Sequence, residues 1–167
     1  MHARTVVIGV GNDARGDDAA GLQVARLLRD MLPPRILVAE SSGDPMHLVA
    51  TWSGAQLAIV IEAVSSGAAP GTVHHDVSPR LTHPWQGSSH ALGLADAIAL
   101  AAALDRLPRD LHIYGIEGAD FAVEAPVTPA VQAAIRETAQ AIGRRLKTIA
   151  GGTGIQTNFA SFRRHPR

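Results

Sequence analysis

Residues 6–22 read Val6-Val7-Ile8-Gly9-Val10-Gly11-Asn12-Asp13-Ala14-Arg15-Gly16-Asp17-Asp18-Ala19-Ala20-Gly21-Leu22. An apolar run closes on two spaced glycines, a short polar loop follows, and two adjacent carboxylates open a helical pattern. This predicts a strand buried on both faces, a tight turn and a helix with acid at its N-terminus. Gly9 and Gly11 suit a turn in which backbone approaches backbone. Asp17 is a natural cap for the orphan N–H groups of the helix start. Only one of the two acids can fill that role, so the other, at the mouth of the strand, is a candidate ligand or catalyst. A second reading fits the same residues: Gly9-x-Gly11-x-x-Ala14 matches a loose dinucleotide fingerprint, with Glu40 ending the next strand. Against it, a pyrophosphate wants the positive end of a helix, and Asp13, Asp17 and Asp18 crowd this one with only Arg15 opposing them. A third reading is that both aspartates only cap the helix.

Outward from this stretch the pattern alternates. The first strand spans about Thr5 to Val10 and the first helix about Asp18 to Met31, with Leu22, Val24, Ala25, Leu28 and Met31 on its apolar stripe. Pro33-Pro34 stops it. A second strand, Arg35 to Glu40, turns at Ser41-Ser42-Gly43, and Asp44-Pro45 caps a short helix to Trp52. The third strand, about Gln56 to Val64, is the most apolar run in the chain. A polar strand with His74 and His75 is expected within residues 71–77. A third helix from Ser88 or Ser89 to about Leu104 turns Leu92, Ala95, Ala99 and Ala102 inward. The last strand is Leu111 to Ile116, and Thr128-Pro129 starts a helix to about Ile149. Strands alternating with helices on short connections predict an α/β fold. Its expected form is three-layer α/β/α, with a mostly parallel, twisted sheet of about five strands and helices on both faces. Residues 1–150 read as a single domain, and residues 151–167, rich in Gly, Thr, Asn and Arg, as a flexible tail.

Composition narrows the chemistry. Fifteen basic and 15 acidic side chains give a formal net charge of 0, so a broad basic field for nucleic acid or anionic membrane is missing. The chain has no cysteine, which removes disulfides, thiolate catalysis, zinc–sulfur sites and iron–sulfur ligation. No apolar run approaches the ~20 residues of a membrane span, and no signal peptide is visible, so a soluble cytoplasmic protein is expected.

In open α/β sheets the site lies beyond the carboxyl ends of the strands, where strand order switches. Asp18 follows the first strand. Glu62 ends the third, inside an apolar run where a carboxylate is costly unless partnered or ligating. Of eight histidines, His2, His112 and His165 lie at a terminus, in a strand and in the tail. His47 is on the short second helix, His74 and His75 are neighbours on a strand, and His83 is in a proline-bounded loop. His90 opens the third helix, where the chain returns to the carboxyl edge. Two acids and one imidazole form a mixed oxygen–nitrogen set suited to a divalent transition metal. No G-x-S-x-G elbow is present.

These residues together resemble the nickel–iron hydrogenase maturation endopeptidases. The likeness rests on Gly9-x-Gly11-Asn12 followed by Gly16-Asp17-Asp18-x-x-Gly21, on Val60-Ile61-Glu62-Ala63-Val64, and on Ser89-His90-x-x-x-Leu94. Gly115-Ile116-Glu117 adds to it, and it covers nearly all of residues 5–148. The resemblance implies an α/β endopeptidase that removes a C-terminal extension from the hydrogenase large-subunit precursor after nickel insertion. It implies that Asp18, Glu62 and His90, as metal contacts and catalytic residues, touch nickel carried by that precursor, with a water as nucleophile and no resident metal at rest. Neither nucleic acid nor membrane is expected as a partner. The sequence departs from the family at Glu40-Ser41-Ser42-Gly43-Asp44, where a glycine-rich turn with threonine is usual, and at position 62, where aspartate is more frequent. Two other readings remain: a nucleotide-binding domain using Gly9 to Ala14, and a nickel-binding accessory protein without peptidase activity.

Overall fold

The computed structural model describes residues 4–75 and 89–151, without the side chains of 89–92 and 151. The expected positions His2, His83 and His165, and the tail after residue 151, lie outside the described residues. Five strands form one sheet in the order β2-β1-β3-β5-β4: β1 (Thr5–Val10), β2 (Leu37–Ser41), β3 (Leu57–Val64), β4 (Val73–His75) and β5 (Asp110–Glu117). All pairings are parallel except β4 with β5. The helices are α1 (Ala20–Met31), α2 (Pro45–Trp52), α3 (Ser89–Ala103) and α4 (Pro129–Gly151).

Strand alternation divides the core into two layers. Val7, Ile59, Ile61, Tyr114 and Ile116 pack with α1 and α4, whereas Val6, Ile8, Val10, Ala58, Val60 and Ile113 pack with α2 and α3. The three-layer α/β/α architecture follows directly from this division. On α3 the buried face is Leu94, Ala97 and Ala101, not the expected stripe through Ala95, Ala99 and Ala102. The helix is so rich in alanine that Asp96 is the one charge that marks an outer side, and its angular setting is decided by what it packs against.

The chain leaves β1, returns as β2 on one side, and crosses to β3 on the other. Strand order therefore switches between β1 and β3. The two glycines after β1 serve this junction. A Cβ on Gly9 would stand 2.2 Å from the Gly21 carbonyl oxygen, and one on Gly11 would stand 2.0 Å from the Asp18 carbonyl oxygen. The first space is filled by the backbone of α1 and the second by that of the turn leading into it, so the glycines permit strand and helix start to touch. No helix among the described residues is long and apolar enough to cross a membrane.

Candidate active site

Glu62 lies one residue beyond Ile61, which ends the β3 register with β1. As an even-numbered position it shares the sheet face of Ala58 and Val60, the face covered by α2 and α3. It is 4% exposed. Asp18 sits in a 3-10 turn, Gly16–Ala19, that joins β1 to α1 and packs against β3. It is 6% exposed. The switch point thus carries two buried carboxylates, one from each of the adjacent strand ends.

His90 lies in the first turn of α3, and its side chain is outside the described residues. The helix around it is located by Gly93. A Cβ there would meet the Gly43 carbonyl oxygen at 2.2 Å, so the start of α3 lies against the turn after β2, at the carboxyl edge. No group of three ligand-type side chains is assembled among the described residues, a set that excludes the His90 ring.

The neighbouring Asp17 does something the local sequence did not reveal. It makes no cap to its own helical turn. Its carboxylate, fully buried, instead reaches the segment after β5. One oxygen accepts from Ala119 N (2.8 Å) and Asp120 N (3.0 Å), the other from Thr128 N (2.7 Å), and the Thr128 hydroxyl lies 2.9 and 3.1 Å from the two oxygens. Its own N–H donates to Asp120 O at 2.8 Å. The helix start therefore divides its two acids: Asp17 clamps a distant loop, and Asp18 stays at the strand mouth.

Glu117 is a second buried carboxylate that residue patterns did not single out beyond its family likeness. Its side chain accepts from Ser66 N (2.7 Å), Gly67 N (3.0 Å) and the Ser66 hydroxyl (2.8 Å), and lies 3.2 Å from His74 Nε2. It fixes the loop that leaves β3 just after Glu62. The available signal was a lone acid closing an apolar strand, the same signal that marked Glu62.

The acids of the first loop are opposed by Arg26, not only by Arg15. Arg26 reaches both Asp13 (2.7 Å) and Glu40 (2.7 Å), and Arg29 also reaches Glu40 (3.2 Å). The dinucleotide reading thereby loses its ribose-binding acid to α1, as it loses its glycine space to backbone. Hydrogen bonds from Arg26, the largest cause, hold the Asp13 and Glu40 carboxyls below their usual values of 3.8 and 4.5. Groups held low in the fold stabilise it fully above their unfolded values, and that contribution fades as pH falls through the folded ones. The expected result is a stability gap between wild type and Arg26→Gln that is constant above about pH 5 and closes below about pH 4. The gap stays under about 1 kcal/mol because the ion pairs are partly exposed. Urea unfolding from pH 3 to 6 measures it, and a gap that widens toward acid would contradict the assignment.

Comparisons with known proteins give the chain a family. A family model described as hydrogenase maturation protease matches residues 23–145. The hydrogenase expression/formation protein HupM of Azotobacter chroococcum is 31% identical over 121 residues, covering 70% of this chain and 58% of its own length. The hydrogenase 2 maturation protease of Escherichia coli is 29% identical over 139 residues, covering 79% of this chain and 84% of its own. The solved structure of the hydrogenase maturating endopeptidase HybD from E. coli superposes with a TM-score of 0.77 at 26% identity, over 87% of this chain and 93% of that one.

Proposed function

Because the chain belongs to the hydrogenase maturation protease family, we propose that it is an endopeptidase that removes the C-terminal extension of a nickel–iron hydrogenase large-subunit precursor once nickel is in place. Asp18, Glu62 and His90 contact the nickel that the precursor carries. The observation that carries this reading is the pair of buried carboxylates, Asp18 and Glu62, at the switch between β1 and β3, with the first turn of α3 on the same edge.

The two carboxylates offer oxygen ligands from the two strand ends. Two oxygens and an imidazole nitrogen suit nickel and leave positions open for the precursor's own ligands. Recognition through the metal makes nickel insertion a condition for docking. The cleaved bond is then the one that the docked precursor presents beside the edge, where a water attacks its carbonyl carbon.

The test is to incubate the purified chain with nickel-loaded and with nickel-free precursor, and to follow precursor mass. Only the nickel-loaded form is expected to shorten. If neither form shortens while the chain still binds nickel, it is an accessory protein and not a peptidase.

A further inference from the structure

We propose that His47 is a further catalytic residue of this site, the base that takes a proton from the attacking water and returns it to the leaving amine. The proposal rests on the peptidase reading above.

His47 stands in the first turn of α2, with its ring exposed and Nδ1 3.1 Å from the hydroxyl oxygen of Ser41. Ser41 is buried at the end of β2, and its hydroxyl oxygen also accepts from Gly43 N at 3.1 Å. A hydroxyl oxygen can accept twice. With Gly43 using one lone pair, the hydroxyl can accept from Nδ1–H or donate to Nδ1; the proposal assigns the proton to Nδ1, the tautomer that leaves a lone pair on Nε2. Among the described residues Nε2 has no hydrogen-bond partner. The ring is therefore held at one nitrogen and open at the other, the arrangement a general base needs.

Its position is set from two sides. Ser41 O accepts from Gly11 N at 3.0 Å, and Gly11 lies directly against the Asp18 carbonyl. Gly43, four residues before His47, lies against Gly93, one turn beyond His90. Glu62 faces the same layer as α2. His47 is thus tied to Ser41 of the turn against which both the Asp18 segment and the start of α3 pack, without being one of the three nickel contacts proposed above. Beside α2 lie β2, α3 and the sheet layer of β1, β3 and β5, and the titratable groups they bring are Glu40, Glu62, His90 and Asp96. Glu40 is bound by Arg26 and Arg29. At the helix cap, the Asp44 carboxylate accepts from the Met46 and His47 N–H groups.

The chemistry has a gap that His47 fills. Hydrolysis moves one proton from water to the peptide nitrogen, and side chains engaged by a metal do not trade protons freely. As the water oxygen bonds to the carbonyl carbon, its proton passes to Nε2, and the imidazolium keeps its Nδ1–H on Ser41. As the C–N bond breaks, the Nε2 proton passes to the departing nitrogen. The products are a carboxylic acid and an amine, and the ring returns to its starting tautomer.

The experiment uses the full chain and nickel-loaded precursor. His47→Gln is expected to lower kcat by about 10²- to 10⁴-fold with KM within a few-fold. Nitrogen-15 NMR of the free protein supplies a readout besides activity. Nδ1 should carry the proton in neutral His47, and Ser41→Ala should abolish that preference. If His47→Gln cuts at the wild-type rate while Glu62→Gln is inactive, the His47 assignment falls and the peptidase reading stands. An Nδ1 without a proton also overturns it. A wild-type chain that leaves nickel-loaded precursor uncut overturns both.

Discussion

Glu62→Gln is expected to fold normally and to cut nickel-loaded precursor at least about a hundredfold more slowly than wild type. The estimate starts from metal sites in which loss of an outer partner alone costs ~10–100-fold, so that loss of a direct contact costs more. Glutamine keeps the volume of the side chain, so the buried position beside Ile61 and Ala63 is not left hollow. What disappears is the negative charge and the preferred oxygen ligand. Glu62→Asp keeps both and draws them back by one methylene, and partial activity is expected. The assay is precursor shortening followed by mass spectrometry, with circular dichroism and a melting curve as the check on folding. A folded Glu62→Gln protein that processes precursor at the wild-type rate would remove Glu62 from the site.

Asp17→Ala should be the most destabilising single change near the edge, and for a reason unconnected with chemistry. It strands three backbone N–H groups and the Thr128 hydroxyl in a partly buried setting. An unsatisfied buried donor costs about 1–3 kcal/mol, and water entering the vacated space recovers part of the sum. A net loss of about 4 kcal/mol is expected, which for a chain of this size lowers Tm by roughly 8–16 °C. Asp17→Asn, with one acceptor oxygen in place of two, should lose about half as much. Calorimetry on the two variants decides it. A Tm change within about 2 °C for Asp17→Ala would mean that the clamp contributes little to the fold.

These two acids mark where the sequence was readable and where it was not. Thr5–Val10 is a strand with the bounds its apolar run suggested, because a segment buried on both faces admits few alternatives. The same run logic made Glu62 conspicuous: an acid among the seven apolar residues of an eight-residue strand has to be explained. Asp17 was legible only as a local cap, yet its partners are more than a hundred residues away at Ala119, Asp120 and Thr128. No local rule connects it to them. Glu117 is similar, since its hydrogen bonds run back to Ser66 and Gly67 on a different connection. The dinucleotide pattern failed through backbone contact. Spacing alone does not distinguish a glycine that admits a phosphate from one that admits a helix, and at Gly9 and Gly11 the occupant is helix. His47 had no sequence mark, because Ser41, which orients it, belongs to another element.

The two-layer core also has a consequence for synthesis. Strands β1, β2 and β3 are adjacent in the sheet and complete by residue 64, but α4, which covers α1 on one face, spans Pro129–Gly151. At ordinary translation rates the interval between those points is roughly 4–17 s. Throughout it, Val24, Leu28, Ile59 and Ile61 line an apolar face whose cover has not yet been made. The face under α2 and α3 can close once α3 is made, whereas the face under α4 stays incompletely covered to the end, and the demand for chaperone protection on the ribosome follows from the placement of that last helix.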